Sequence, residues 1–134
     1  MYKVFFFVLS IFIIQSFQAQ TTYRCFDCDN STKLKLSVEY LDDVPDFVQY
    51  KGQTSSMKLI YIKGTRKISG ATTTESYNEM FDGKVNGKYT FSHSGNMDYI
   101  TYKRKDGKVF KFTVNIDDSL NETGDGYRTN PCYE

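Results

Sequence analysis

The chain has 134 residues, 17 Lys and Arg against 16 Asp and Glu, and an aromatic content of 11 Tyr and 11 Phe without Trp. That length suits one domain of modest size. The balanced charge argues against nucleic acid, and against an anionic membrane surface as the main partner, because phosphate-rich partners ask for a basic excess.

The first twenty residues read MYKVFFFVLSIFIIQSFQAQ. Lys3 precedes an apolar run from Val4 to Ile14, and a polar stretch then leads into soluble sequence. This is the layout of a secretory signal peptide over 1–19, with cleavage after Ala19. The run is shorter than the roughly 20 apolar residues that span a bilayer, so an uncleaved anchor is the weaker alternative. Cleavage removes Lys3 and no acid, which leaves the mature domain, 20–134, formally neutral.

Cys25, Cys28 and Cys132 remain after cleavage. In an exported protein cysteines pair, and three leave one over. A bridge from Cys25 or Cys28 to Cys132 would tie the two ends of the domain together. Closing a loop of about 100 residues is worth roughly 4 to 5 kcal/mol. Pairing of Cys25 with Cys28 is the alternative. A redox motif would need its first thiol at a helix start, whereas Asp29-Asn30-Ser31-Thr32 follows here. A closed zinc site wants four Cys or His ligands, and His93 is the only histidine.

Along the mature chain the hydrophobic period is two, broken at short intervals by turn residues. Lys33–Tyr40 alternates, with Leu34, Leu36, Val38 and Tyr40 on one face. Asp42 to Asp46 interrupts it, and further strands are expected at Phe47–Lys51 and Met57–Lys63. Arg66 to Thr74 extends the sheet with a bend at Ser69-Gly70, and Ser76 to Phe81 reads as a strand or one helical turn. Asn86-Gly87 has the composition of a type I′ hairpin turn. Strands Lys88–His93, Met97–Lys105 and Lys108–Ile116 follow. A two-residue loop at Asp106-Gly107 would set Lys105 opposite Lys108, Thr101 opposite Phe112 and Tyr99 opposite Val114. The tail, 117–134, reads as a loop.

Seven or eight short antiparallel strands predict an all-β meander. A closed, lipocalin-like barrel is favoured over a two-layer sandwich because closure leaves no exposed edge.

No catalytic set stands out. His93, between Ser92 and Ser94, reads as a surface group, and no G-x-S-x-G elbow or phosphate-cradling loop occurs. Asp117 to Gly126 is rich in oxygen ligands, but Glu122 occupies the position of the sharp-turn glycine of a calcium loop. No metal or cofactor is expected. The tyrosine surplus has two readings: large rings that fill a small barrel and hold its faces, which is favoured, or recognition, with Tyr61, Tyr89, Tyr99 and Tyr102 as a ligand- or partner-binding surface. Lys103, Arg104 and Lys105 form a basic strip that keeps the hairpin soluble and blocks edge pairing or steers an acidic partner. Tyr23-Arg24-Cys25, Ser69-Gly70 and Cys132 resemble the end spacing of exported C-type lysozyme inhibitors, which are small barrels. The inhibitory loop of that class pairs Ser-Gly closely with a Tyr, and Tyr77 lies too far along for that, so no inhibitory residue is carried over. The expected function is an exported binding module for a protein or small-molecule ligand. An inhibitor or immunity protein against an envelope-acting enzyme or toxin is the alternative, and a small hydrolase using unmarked carboxylates the second.

Overall fold

The computed structural model describes residues 18–133. The expected leader, 1–19, falls almost wholly outside them, as does Glu134. Nine strands follow one another: β1 (Thr21–Cys28), β2 (Ser31–Leu41), β3 (Val44–Tyr50), β4 (Met57–Tyr61), β5 (Lys67–Ser69), β6 (Thr72–Phe81), β7 (Lys84–Ser94), β8 (Met97–Arg104) and β9 (Val109–Asn115). A short helix, α1 (Ile116–Ser119), opens the tail. Every pairing is antiparallel, in the order β4-β3-β2-β1-β9-β8-β7-β6-β5.

The ring closes where β4 also pairs with β6, Lys58 opposite Met80 through Tyr61 opposite Tyr77. Eight strands thus form a closed barrel, and β5 continues the seam by pairing with the first residues of β6. Closure removes the sheet edges that an open meander would expose. The alternating residues of each strand supply the interior: Phe26, Leu36, Val38, Val48, Leu59, Tyr77, Tyr89, Ile100 and Phe112 are all buried. Side chains fill a barrel of this strand number.

Two turns differ from the sequence expectation. The β6–β7 hairpin turns at Asp82-Gly83, both with positive φ (50° and 73°), as a type I′ turn requires. Asn86-Gly87 lies inside β7 instead. Gly87 is needed there for space: a Cβ would sit 2.4 Å from the Tyr102 ring of β8. The β8–β9 loop has three residues, Lys105, Asp106 and Gly107, with Gly107 at φ 90°. Arg104 and Lys108 close it by backbone hydrogen bonding. The register is therefore one residue off the expected one, with Tyr99 opposite Thr113 and Ile100 opposite Phe112. A one-residue slip exchanges the faces of a strand, so Asp98, Ile100 and Tyr102 point inward and Tyr99 and Thr101 outward.

The terminal clasp is Cys25–Cys132, closing a separation of 107 residues. Cys28 is free and buried. Cys25 faces outward on β1, and the tail folds back over it. Tyr23 and Arg128 form a bridge, the Cys25 amide donates to Ser119 Oγ at 2.8 Å, and the Cys132 amide donates to Ser37 Oγ. The described part of the tail, 117–133, is largely irregular as expected, but it is pinned rather than loose.

A buried carboxylate sits among the rings at the lower half of the barrel. Glu79 accepts hydrogen bonds from Tyr89 at 2.5 Å, Tyr102 at 2.9 Å and Asn86 at 2.7 Å. Tyr50 and Tyr89 share a further one. Three donors satisfy a group that would be costly to bury alone.

Three outcomes follow from these contacts. Cys132→Ser should lower unfolding free energy by about 4 kcal/mol in a denaturant titration, while Cys28→Ser leaves the covalent clasp intact in a mass-spectrometric disulfide map. Gly87→Ala should cost roughly 1–3 kcal/mol through overpacking against Tyr102. The third concerns alkaline pH. Burial raises the Tyr50, Tyr89 and Tyr102 hydroxyls well above the ordinary 10.0, and burial and the Glu39 hydrogen bond push Tyr23 up to about 12. The unfolded chain releases these protons near pH 10 while the folded chain retains them. Stability is therefore fully present below pH 10 and declines as pH rises through the folded values. Tyrosinate absorbance should appear together with loss of the far-ultraviolet sheet signal, and ionisation of most tyrosines in a still-folded barrel would contradict this.

Candidate functional site

The barrel has two ends. One carries the β2–β3, β5–β6 and β7–β8 turns, and a cleft of about 320 Å³ opens there. Its floor is aromatic, formed by Tyr40 of β2 and Phe91 of β7, whose ring centroids lie 6.5 Å apart edge to face. Charged groups line the walls.

Arg24 is central. Alternation along β1 turns it inward, two residues before Phe26, where an arginine would be costly without partners. Its guanidinium lies between the rings of Tyr40 and Tyr127, at 4.1 and 4.2 Å from their centroids, a stacking that suits a planar cation. Nη1 donates to Asp98 Oδ2 at 3.2 Å, and Nη2 lies 3.7 Å from Asp43 Oδ1. Nε is buried and has no partner among the described residues. Burial works against the charge, but Tyr40, Asp98, Tyr127 and Asp43 outweigh it and the pKa lies above the ordinary arginine value.

Asp98 holds both Arg24 and His93. Its Oδ1 meets His93 Nδ1 at 2.6 Å, the two residues being directly opposed on β7 and β8. The Asp98 side chain is 8% exposed and that of His93 56%. An aspartate that receives Nδ1–H fixes the imidazole tautomer and leaves Nε2 free for another partner. Across the cleft, Arg66 stands 3.6 Å from Glu75, and Glu75 accepts from the Tyr77 hydroxyl. The site therefore offers an aromatic floor, two guanidinium groups, one imidazole and three carboxylates, of which Asp43 is the exposed one.

The tyrosines singled out by composition do not share a surface. Tyr89 and Tyr102 are buried inside the barrel, stacked at 4.3 Å between centroids, where they serve Glu79. Their rings fill space that a ligand would otherwise need. Tyr61 lies at the rim against Tyr77, and Tyr99 stands on the outer face between Ser92 and Thr113. Lys103, Arg104 and Lys105 do lie together, at the other end of the barrel, with Arg104 paired to Asp106.

Sequence reasoning passed over Arg24 and Asp98, which are 74 residues apart. Each breaks the apolar alternation of an otherwise inward-facing row, and that was the available signal. His93 is a hydrogen-bonded surface group, in keeping with the sequence reading, and its partner Asp98 emerges only in the observed β7–β8 register. The oxygen-rich turn 117–126 is satisfied internally, with Asn121 and Thr123 donating to Asp125. Among the described residues no cluster of three or more His, Cys, Asp or Glu is placed to hold a metal ion.

Asp98→Ala should lower stability by about 3–5 kcal/mol, since it strands a buried guanidinium. Arg24→Met combined with Asp98→Leu should recover much of that loss in urea unfolding, and strict additivity of the single changes would contradict the pairing. Comparison with protein families, with curated proteins and with solved structures finds no match to this chain.

Proposed function

We propose that this protein is an exported binding module that recognises its ligand at the barrel mouth. The observation that carries the reading is the cleft over Tyr40 and Phe91, in a barrel whose interior is otherwise filled by side chains. Arg24 supports it further: stacking, the buried Asp98 and the tail residue Tyr127 hold its guanidinium in place before anything binds. Pre-organised polar groups beside an apolar floor are what a small polar ligand needs. The Cys25–Cys132 clasp is compatible with export. The occupant is a small molecule with an apolar body and charged groups, or a protruding loop of a partner protein. The second occupant keeps an inhibitor or immunity role within the same site.

One observation favours a different class. The His93–Asp98 pair has the geometry that orients a general base. No hydroxyl is hydrogen-bonded to His93 among the described residues, so water would be the nucleophile in such a hydrolase. Ester turnover by the mature protein that disappears in His93→Ala would establish this reading in place of simple binding.

Thermal-shift and native mass-spectrometric screening of the mature protein against charged aromatic and aliphatic ligands tests the binding reading. A ligand is expected whose affinity drops about tenfold or more in Arg66→Glu and in His93→Ala, and not in Lys103→Glu. Ligands indifferent to both mouth substitutions, or no ligand at all, would remove it.

A further inference from the structure

We propose that the opposite end of the barrel docks on an anionic lipid bilayer. Two hairpin tips project there, Asp82-Gly83 between β6 and β7 and Lys105–Gly107 between β8 and β9. Strands β7 and β8 stay paired down to Gly87 and Arg104, so the two tips leave the barrel side by side.

Positive charge is concentrated on the tips and on the outer faces of the strands that lead into them. Lys84, Lys88, Lys103, Lys105, Lys108 and Lys111 are all exposed, and none is within 4.0 Å of a carboxylate among the described residues. Asp106 is engaged by Arg104, which leaves Asp82 as the one unengaged acid of the two tips. Lys88 stands directly opposite Lys103 across the β7–β8 pair. Like charges in that position repel each other, and an external anionic surface would relieve the repulsion. The neutral total of the mature chain hides this segregation, so the sequence argument against an anionic surface does not hold for this end of the barrel.

Apolar side chains accompany the lysines. Phe81 is 62% exposed, and Val85 and Val109 are each 47% exposed. Phe81 and Val85 flank the first tip, and Val109 follows the second. Six lysines to one arginine favour a lipid over an acidic protein. Lysine is depleted at protein interfaces, and arginine is the usual choice for pairs of fixed geometry. Flexible ammonium groups suit mobile headgroups, where each adds attraction near the surface. Protruding apolar tips would enter the boundary below the headgroups, as apolar faces of interfacial segments do. The mouth, at the far end, would remain open to solution.

The test is sedimentation of the mature protein with vesicles of phosphatidylcholine alone or mixed with phosphatidylglycerol. Binding is expected to the mixed vesicles only, and to weaken as salt is raised. Lys103→Gln/Lys105→Gln/Lys108→Gln should bind on the order of 100-fold more weakly, with an unchanged melting profile. Phe81→Ser/Val85→Ser should lose the portion of binding that survives high salt. His93→Ala, at the mouth, should bind vesicles as the wild type does. Equal binding to both vesicle types, no binding to either, or wild-type binding by the triple variant would each overturn the proposal. Binding to soluble polyglutamate without vesicle binding would overturn it as well, giving the surface to an acidic protein.

Discussion

The hydrogen bonding of β4 to β6 is the constraint on which the rest depends. It converts a linear meander into a ring, and a ring fixes every register at once, because a slip in one pair must be absorbed by the others. Register decides which alternate residues face inward. With the observed pairing, Phe26, Leu36, Val38, Tyr89, Ile100 and Phe112 meet in one interior. The same pairing carries Arg24 and Asp98 inward as a matched pair, so that neither charge is buried alone.

A filled interior leaves only the ends and the outer wall open to contact. Aromatic rings occupy the lower half and are held by Glu79, whose oxygens accept from Tyr89, Tyr102 and Asn86. This cluster fills the lower barrel. At the upper end, charged residues replace apolar ones as the strands approach solvent, and a cleft remains where Tyr40 and Phe91 are not covered. The two ends also differ in character: mixed charges around a concave mouth on one side, lysines and apolar tips around projecting hairpins on the other. A chain with a formal net charge of only +1 thereby presents two chemically distinct surfaces.

The tail connects covalent and non-covalent order. The Cys25–Cys132 bridge anchors it to the outside of β1, and hydrogen bonds from Arg128 and Ser119 hold the intervening segment. The consequence reaches the mouth, because Tyr127 lies within this segment and forms one side of the stack around Arg24. A residue near the end of the chain thus completes a site begun near its start.

The strand class, the approximate strand positions and the closed barrel were legible in the sequence, because alternation of apolar residues reports directly on a half-buried pleated surface. So was the pairing of an early cysteine with Cys132, though not the choice of Cys25: both candidates lie on β1, and only the strand's orientation turns Cys25 toward the tail and Cys28 into the core. Tyr89 and Tyr102 follow the favoured reading of the tyrosines as barrel filling, and the choice against a binding surface needed the fold, because a tyrosine on a strand looks the same whether its hydroxyl meets water or a buried Glu79. The β8–β9 register was misread because a three-residue loop ending in Gly107 and a two-residue loop share the same Asp-Gly signal. Local patterning thus determined that this chain forms strands and closes on itself. Which charges meet, and at which end of the barrel, was decided only by the tertiary structure, because residues such as Arg24 and Asp98 become neighbours through registers that depend on the closure of the whole ring.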